Sequence, residues 1–151
     1  MYTKDEKKDL VKKFWEAFSL YSSRLSFRSE RRKHWMLHHT KVSCVHLKFD
    51  PDRNGVRVIL EINHRDEEKR LQQYEKIEMY RIILEEGFDD GLIWNFAHQN
   101  ETGQDICHIY TGLTGVDIHR ISDWERMFQF MAENMFRLEN NFIEIRDLIK
   151  I

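Results

Sequence analysis

The chain of 151 residues has little of several residue types that mark particular classes of protein. It contains one proline and six glycines, so no Pro-rich or Gly-rich linker divides it, and we expect one domain over residues 1–151. Its two cysteines, Cys44 and Cys107, form no C-x-x-C pair. This usage favours free thiols in a reducing compartment over a disulfide framework or a zinc site.

The sequence also lacks long apolar runs and a large net charge. No stretch approaches the roughly 18 uninterrupted apolar residues of a membrane span, and the N-terminal sequence lacks the apolar segment of a signal peptide. The formal charge of −2 gives no overall attraction to nucleic acid or to an anionic membrane. We therefore expect a cytoplasmic protein that does not associate with membranes, in which any nucleic-acid binding is local.

The sequence does contain three segments with helical periodicity. A capping box at Thr3–Glu6 opens the first helix, which runs to about Arg24. A second helix is predicted from about Asp66 to Glu86, with its inward residues at Leu71, Tyr74, Ile77, Tyr80, Ile83 and Leu84.

A second capping box at Ser122–Glu125 opens the last helix. Its apolar residues recur in a 4-3-4-3 rhythm that fits either packing on a sheet or a coiled-coil seam. Because the seam is short and rich in Trp, Met and Phe, we expect packing on a sheet. The stripe consists of Trp124, Phe128, Met131, Met135, Leu138, Phe142, Ile145 and Ile149.

Between the helices the period changes to two, which is typical of half-buried strands. The Asp50–Gly55 segment supplies the turn of a first hairpin, and pairing Asp50 with Gly55 places every apolar residue on one face. A second hairpin is predicted from Leu92 to Leu113, and Val116–His119 could add an edge strand. The fold class is therefore α+β, with a mostly antiparallel sheet of four to five strands, three main helices mainly on one face, and the order α-ββ-α-ββ(β)-α.

The first hairpin also carries letters close to the Pro-Asp…Asp/Glu-x-Lys signature of metal-dependent nucleases. Asn63 stands where that signature has lysine. Asp52 falls in the turn, whereas Glu61 lies six residues along the second strand, about 20 Å away at the usual rise per residue. Two carboxylates this far apart cannot share a metal ion, so the hairpin interpretation is favoured over a degenerate nuclease, and we predict no catalytic residue.

Residues 24–41 contain six Lys or Arg residues and one acid. Clustered cations can neutralise phosphates and exposed rings can stack on bases, so this segment is a candidate nucleic-acid site. The alternative is a solvated basic connector whose Trp35 anchors the core. The candidate residues are Arg24, Arg28, Arg31, Arg32, Lys33 and Trp35.

Histidines and other polar residues form two further candidate sites. His34 and His38 have the i, i+4 spacing of metal ligands, yet no Cys or carboxylate lies close enough in sequence to complete the set, so we predict neither a metal nor a cofactor. The outward side of the first hairpin carries a polar row that could bind an anion or a partner, or could simply be solvated. The row consists of His46, Lys48, Arg57, Glu61, Asn63 and His64.

Several stretches resemble an uncharacterised prokaryotic family, the domain of unknown function 4268. They are Phe14–Phe18, Trp35, Val56–Asp66, Leu92–Trp94 and Asp123–Trp124. Members of this family look like modules found beside restriction-endonuclease-like domains, so the resemblance implies a role near DNA metabolism or defence. The resemblance assigns no catalytic residue to this chain, because the family's motif defines none.

These observations together predict a non-enzymatic accessory or interaction module. Its partner could be another protein or a second copy of the chain, bound through the sheet edge or the last helix. The alternative is a nucleic-acid-binding module that uses residues 24–41, and a degenerate nuclease comes third.

Overall fold

A computed structural model describes residues 2–25 and 39–151. The described residues form four α-helices and one four-stranded antiparallel sheet, which confirms the α+β prediction. In chain order the elements are α1 (Lys4–Ser23), β1 (Val45–Pro51), β2 (Gly55–Ile62), α2 (Glu67–Met79), α3 (Arg81–Leu84), β3 (Ile93–Gln99), β4 (Asp105–Thr114) and α4 (Trp124–Ile145).

The sheet is made of two hairpins joined side by side. Its strand order is β1-β2-β4-β3, so β2 and β4 are central and β1 and β3 are the edges. Strand β4 pairs with β2 in a register that places His108 beside Glu61. The pairing of the two hairpins therefore decides which residues meet in the middle of each face.

The predicted register of the first hairpin was wrong by two residues. Pairing was expected between Asp50 and Gly55, but the structure pairs Asp50 with Arg57 and Pro51 with Val56. A shift of two residues keeps every side chain on its predicted face, because the side-chain period of a strand is two.

The Asp52 side chain is the reason for the tighter turn. Its carboxylate accepts hydrogen bonds from the backbone N–H of Asn54 at 2.7 Å and of Gly55 at 3.0 Å. The Asp52 N–H also donates to the Gly55 carbonyl at 2.8 Å. These hydrogen bonds place the turn further along the chain than the sequence pattern indicated.

All four helices pack on one face of the sheet, as predicted. Buried residues of α2, α3 and α4 join Leu47, Val58, Leu60 and Ile109 in one apolar cluster. Helix α1 and the N-terminal half of α4 form a second cluster that includes Val56. The predicted α4 stripe is buried along its whole length, which confirms its assignment to the core.

The second predicted helix is broken near its C-terminal end. Helix α2 ends at Met79, Tyr80 has φ −106° and ψ 25°, and the four-residue α3 follows. Leu71 and Ile83 were predicted to face inward, but they are 41% and 37% exposed. Ile77 before the break and Leu84 after it are both fully buried, so both helices still contribute to the core.

The segment Val116–His119 is not a strand. Val116 and Ile118 are buried, and the Ile118 N–H donates to the Asp52 carbonyl at 3.0 Å. The segment crosses the turn of the first hairpin instead of extending the sheet. Its apolar residues therefore serve to cover the hairpin end.

The capping box predicted at Ser122 also differs from the structure. Residues Ile121–Asp123 form a 3-10 turn, and the side chain of the N-cap residue Asp123 makes no capping hydrogen bond to α4. The Asp123 carboxylate instead accepts from the Asp117 N–H at 3.0 Å and from Arg120 at 3.1 Å. By contrast, the Thr3 hydroxyl accepts from the Glu6 N–H at 3.2 Å, so the N-terminal cap is confirmed.

Candidate functional site

The sheet face opposite the helices carries a group of polar and ionisable side chains. We call it the polar sheet face, and among the described residues no helix packs on it. Strand alternation places on it His46, Lys48 and Asp50 of β1, Arg57 and Glu61 of β2, His98 of β3, and His108 and Tyr110 of β4.

Glu61 lies at the centre of this face and is only 8% exposed. Its cross-strand neighbours are His46 on β1 and His108 on β4. The Oε1 atom of Glu61 lies 2.9 Å from His108 Nε2 and accepts a hydrogen bond from Lys48 Nζ at 3.2 Å. Three strands therefore converge on one carboxylate oxygen.

Burial and hydrogen bonding act in opposite directions on the pKa of Glu61. Burial raises the pKa, but the hydrogen bonds and positive charges of His108 and Lys48 outweigh it, so the pKa lies below its usual value. Glu61 is therefore ionised at neutral pH, and it is a poor proton donor there.

His98 extends this network to the edge strand β3. Its ring stacks on the His108 ring, with centroids 4.1 Å apart and planes 24° apart. Burial lowers the pKa of His98, and the charges of His108 and Arg57 lower it further. Within the described part of the chain the buried Nδ1 of His108 has no hydrogen-bond partner.

A second ion pair lies at the turn end of the polar sheet face. Arg57 donates to the Asp50 carboxylate at 2.5 Å, and its guanidinium lies 5.0 Å from the centre of the Tyr110 ring. Ile59 is buried between Arg57 and Glu61 along β2. The long side chains around Ile59 can cover it with their apolar parts.

A cavity of about 600 Å³ borders this face at β1. It is lined by Trp15 of α1 and by residues from both faces of β1, including His46 and Phe49. Asn63, predicted as part of the polar row, lines the same cavity beside Glu61. An exposed tryptophan next to a fixed carboxylate gives this cavity one apolar wall and one charged wall.

His64 lies away from the rest of the predicted row. It lines a different cavity, between α2 and the C-terminal segment. Strand β2 ends at Ile62, so His64 no longer follows the alternation that places side chains on the sheet face.

The residues of the nuclease-like motif do not form a common site. The Asp52 carboxylate bonds to backbone amides in the turn, whereas the Glu61 carboxylate bonds to Lys48 and His108. In residues 2–25 and 39–151 no group of three or more His, Cys, Asp or Glu side chains is placed to hold a metal ion.

Most of the predicted nucleic-acid site lies outside the described residues. Arg28, Arg31, Arg32, Lys33 and Trp35, together with His34 and His38, belong to this undescribed part. Arg24 is described and is the C-cap residue of α1. The nucleic-acid site therefore remains a prediction.

The sequence did not single out His98, His108 and Tyr110. The alternation of His108 and Tyr110 with the buried Cys107 and Ile109 was the available signal, because it marks the polar side of β4. No local pattern in the sequence indicates that β4 pairs with β2.

The two cysteines are free thiols. Cys107 is fully buried, and burial raises its pKa to about 12 although Arg70 opposes the shift. The Cys107 thiol therefore stays protonated and unreactive at neutral pH. Among the described helices, none has both the length and the hydropathy to cross a membrane.

Comparison with known proteins gives one match. The family model described as Domain of unknown function (DUF4268) matches residues 10–146. Neither the curated proteins nor the solved structures contain a match. The matched range begins within α1 and ends just after α4, so it includes every strand of the sheet. The chain therefore belongs to the family of the domain of unknown function DUF4268.

Proposed function

We propose that this protein is an interaction module without catalysis of its own, and that it holds a protein partner on the polar sheet face. The observation that carries the proposal is the Glu61 carboxylate, which Lys48 and His108 both contact at the same oxygen. The three residues lie on three adjacent strands, so the backbone pairing fixes their relative positions. Preorganised polar groups bind with a smaller loss of conformational entropy than mobile ones.

The residue types around this centre support binding of a protein. Arg57 and Tyr110 stack on each other at one end, and Trp15 is 38% exposed beside the cavity at the other. Trp, Tyr and Arg are the residue types that contribute most often to binding energy at protein interfaces. The cavity between Trp15 and Glu61 can accept one anchoring side chain of a partner.

The chemistry of Glu61 supports a binding role over an acid–base role. Its lowered pKa keeps it ionised at neutral pH, and one of its oxygens is already engaged by two groups. General acid catalysis needs a carboxyl whose pKa is raised towards the working pH. The pKa of Glu61 is lowered, which is the opposite direction.

We also propose that residues 1–151 form one cytoplasmic domain. Phe49 and Phe130 pack against both apolar clusters, which links the two parts of the core. The free thiols support a reducing compartment.

The test compares two doubly substituted proteins in affinity capture. One carries Lys48→Met and Arg57→Ala on the polar sheet face, and the other carries Lys8→Met and Lys12→Ala on the exposed side of α1. Both lose two positive charges, through one substitution to Met and one to Ala. Immobilised full chain is incubated with lysate of the source organism, and retained proteins are identified by mass spectrometry.

We expect the wild type and the α1 variant to retain the same partner, and the sheet-face variant to lose it. Analytical ultracentrifugation of the same three proteins tests self-association through this face. If neither a captured protein nor self-association depends on Lys48 and Arg57, the proposed function is wrong.

The nucleic-acid alternative has a separate test. Arg31→Ala, Arg32→Ala and Lys33→Ala together remove three charges from the basic segment. If this segment binds phosphates, fluorescence anisotropy will show binding of short DNA or RNA that weakens as salt rises and is lost in the triple variant. Binding that survives the triple substitution contradicts this alternative.

A further inference from the structure

Strand β1 is an edge of the sheet, and among the described residues it pairs on one side only. It pairs with β2 in an unbroken register, whereas the other edge strand, β3, has an irregular register between Asn95 and His98. An irregularity of this kind hinders the addition of a further strand, and a regular edge favours it. Of the two edges, β1 is therefore the better site for strand addition.

Hydrogen bonds at both ends of the β1–β2 pair show which backbone groups point outward. The Asn63 N–H donates to the Cys44 carbonyl at 2.9 Å, and the Asp52 N–H donates to the Gly55 carbonyl at 2.8 Å. Residues that exchange hydrogen bonds alternate along an antiparallel pair, so the even-numbered residues of β1 bond to β2. The N–H and C=O of Leu47 therefore point away from the sheet, and no residue that the structure describes bonds to them.

The loop that precedes β1 covers only the first residue of this edge. The Val45 N–H donates to the Val42 carbonyl at 3.2 Å, and the Val45 carbonyl accepts from the Thr40 hydroxyl at 2.6 Å. The backbone groups of Val45 are therefore engaged. The open part of the edge begins at Leu47.

Two cavities follow this open edge. The cavity of about 600 Å³ is lined by residues 46–49, and another, of about 590 Å³, is lined by residues 49–54. Consecutive residues of a strand point to opposite faces, so each cavity borders both faces of β1 and must lie at its edge. Trp15 lines both cavities, so they meet beside this residue. We call the two cavities together the edge groove.

Helix α1 forms the other wall of the edge groove through Val11 and Trp15. The Trp15 and Phe49 ring centroids are 6.3 Å apart, and Trp15 is still 38% exposed. An apolar side chain laid against β1 therefore reaches an aromatic surface. The space between α1 and β1 fits one extended chain, whereas a second copy paired through β1 would bring its own α1 into the same space.

The charges along the edge groove favour an acidic occupant. The Asp50 carboxylate is paired with Arg57, and the Asp52 carboxylate accepts from backbone amides of the turn. Arg53 lines the groove and forms no ion pair within residues 2–25 and 39–151. A carboxylate of the occupant near the turn therefore gains a complementary charge.

We propose that an extended segment of the protein partner adds to the sheet as a strand beside β1, in the edge groove. That the occupant is a protein rests on the proposed function, since Lys48 belongs both to the groove and to the polar sheet face. Main-chain hydrogen bonds to β1 supply affinity, and alternate side chains supply specificity. An apolar side chain of the segment contacts Trp15, and a carboxylate pairs with Arg53. Residues 46–51 span about 20 Å, which fits a segment of about six residues.

The test selects random linear peptides of about twelve residues, displayed on phage, against the immobilised full chain. A synthetic copy of a selected peptide should slow hydrogen exchange of the Leu47 amide by about tenfold or more and leave the amides of β3 unchanged. N-methylation at successive positions of the peptide should abolish binding at every second residue, because only alternate N–H groups face β1. Failure to select any peptide, slowed exchange at β3 instead of Leu47, or no such alternation overturns the proposal.

Matched variants of α1 test the wall of the edge groove. Trp15→Ala should weaken peptide binding by about tenfold or more, because an exposed tryptophan beside a cavity is a typical anchor of binding energy. Leu20→Ala is the control, since Leu20 lies on the same helix, is 61% exposed and lines neither cavity. Urea denaturation checks that both variants fold, and the N-methylation series needs only the wild type. Equal affinities of two folded variants overturn the proposal.

A charge exchange tests the contact with Arg53. Arg53→Glu should weaken binding of an acidic peptide, and replacement of the acidic residue of the peptide by lysine should restore it. Arg53 is exposed and supports no other described ion pair, so this variant should fold like the wild type. An affinity that does not respond to either change overturns the assignment of the carboxylate.

The proposed function and this inference can fail separately. Peptide binding that survives Lys48→Met with Arg57→Ala supports the edge groove even if no partner of the polar sheet face is captured. Partner capture that depends on Lys48 and Arg57, without any selected peptide, overturns the edge groove alone.

Discussion

The two faces of the sheet are built from alternating residues of the same strands, yet they have opposite properties. On β2, Val58, Leu60 and Ile62 are fully buried against the helices, and Glu61 between them faces the polar network. The helix-covered face removes apolar surface from water, which is the main favourable contribution to folding. The polar sheet face holds an ion pair whose desolvation offsets much of its Coulomb attraction. The helix-covered face therefore holds the apolar clusters, whereas the polar sheet face combines a polar network with the buried Ile59 and Ile106.

The largest effect is expected on the helix-covered face. Phe142→Ala removes a fully buried ring from α4 and should lower the free energy of unfolding by about 3–5 kcal/mol. Ile143→Ala is the matched control, because Ile143 is the next residue of the same helix and is 37% exposed. It should cost less than about 1 kcal/mol. Urea denaturation measures both, and similar losses in the two variants would contradict the assignment of this face as the core.

The next effect tests the contact between His108 and Glu61 on the polar sheet face. His108→Leu leaves the buried Glu61 carboxylate with one donor fewer and should cost about 2 kcal/mol. Adding Glu61→Leu removes the buried carboxylate that has lost this donor, so the double variant should regain part of that loss. A double-mutant cycle by urea denaturation measures the coupling between the two residues. Strictly additive losses would show that the pair contributes no coupling.

The pH dependence of stability separates two groups on the polar sheet face. His98 has a pKa below the ordinary histidine value of 6.5, so the unfolded chain binds more protons than the folded chain as the pH falls below 6.5. Stability should therefore begin to decrease there. The pKa of Glu61 is below the ordinary glutamate value of 4.5, so its contribution is lost only at lower pH, as its carboxylate becomes protonated.

His98→Gln should remove the decrease that starts near pH 6.5 and leave the decrease below 4.5. Unfolding measured across this pH range tests the assignment, and NMR titration of the His98 ring measures its pKa directly. A pKa above 6.5 for His98 would reverse the predicted sign.

The smallest effect is expected at the solvent-exposed end of the polar sheet face. Arg57→Ala breaks the ion pair with Asp50, which is partly exposed, and should cost less than about 1 kcal/mol. The difference from wild type should shrink at high salt, because exposed charges are screened. Denaturation at low and high salt measures both. A loss as large as that of His108→Leu would show that the two ends of this face contribute alike.

The sequence predicted the layout of the helices and strands well because that layout depends on local periodicity. The α4 stripe from Trp124 to Ile149 and the alternation along β1 and β2 identified buried residues directly. The errors occurred where a local contact competes with the pattern. The Asp52 carboxylate tightened the first turn, and Ile83, which follows the break at Tyr80, is 37% exposed.

The candidate sites were predicted only in part. Lys48, Arg57 and Glu61 were predicted because they lie on one hairpin, whose alternation is visible in the sequence. His98 and His108 come from the second hairpin, and its position beside β2 is a long-range pairing.

The sequence by itself determined the order of the elements and the side of β1 and β2 that faces the helices, because these properties follow from the periodicities of strand and helix, which act between residues close in the chain. The family was indicated by the resemblance of particular stretches, such as Phe14–Phe18. Only the tertiary structure decided that β4 lies beside β2, so that His108 reaches Glu61, and that Trp15 lies beside β1. Such contacts depend on the packing of segments far apart in sequence, and no local pattern encodes which segments will meet.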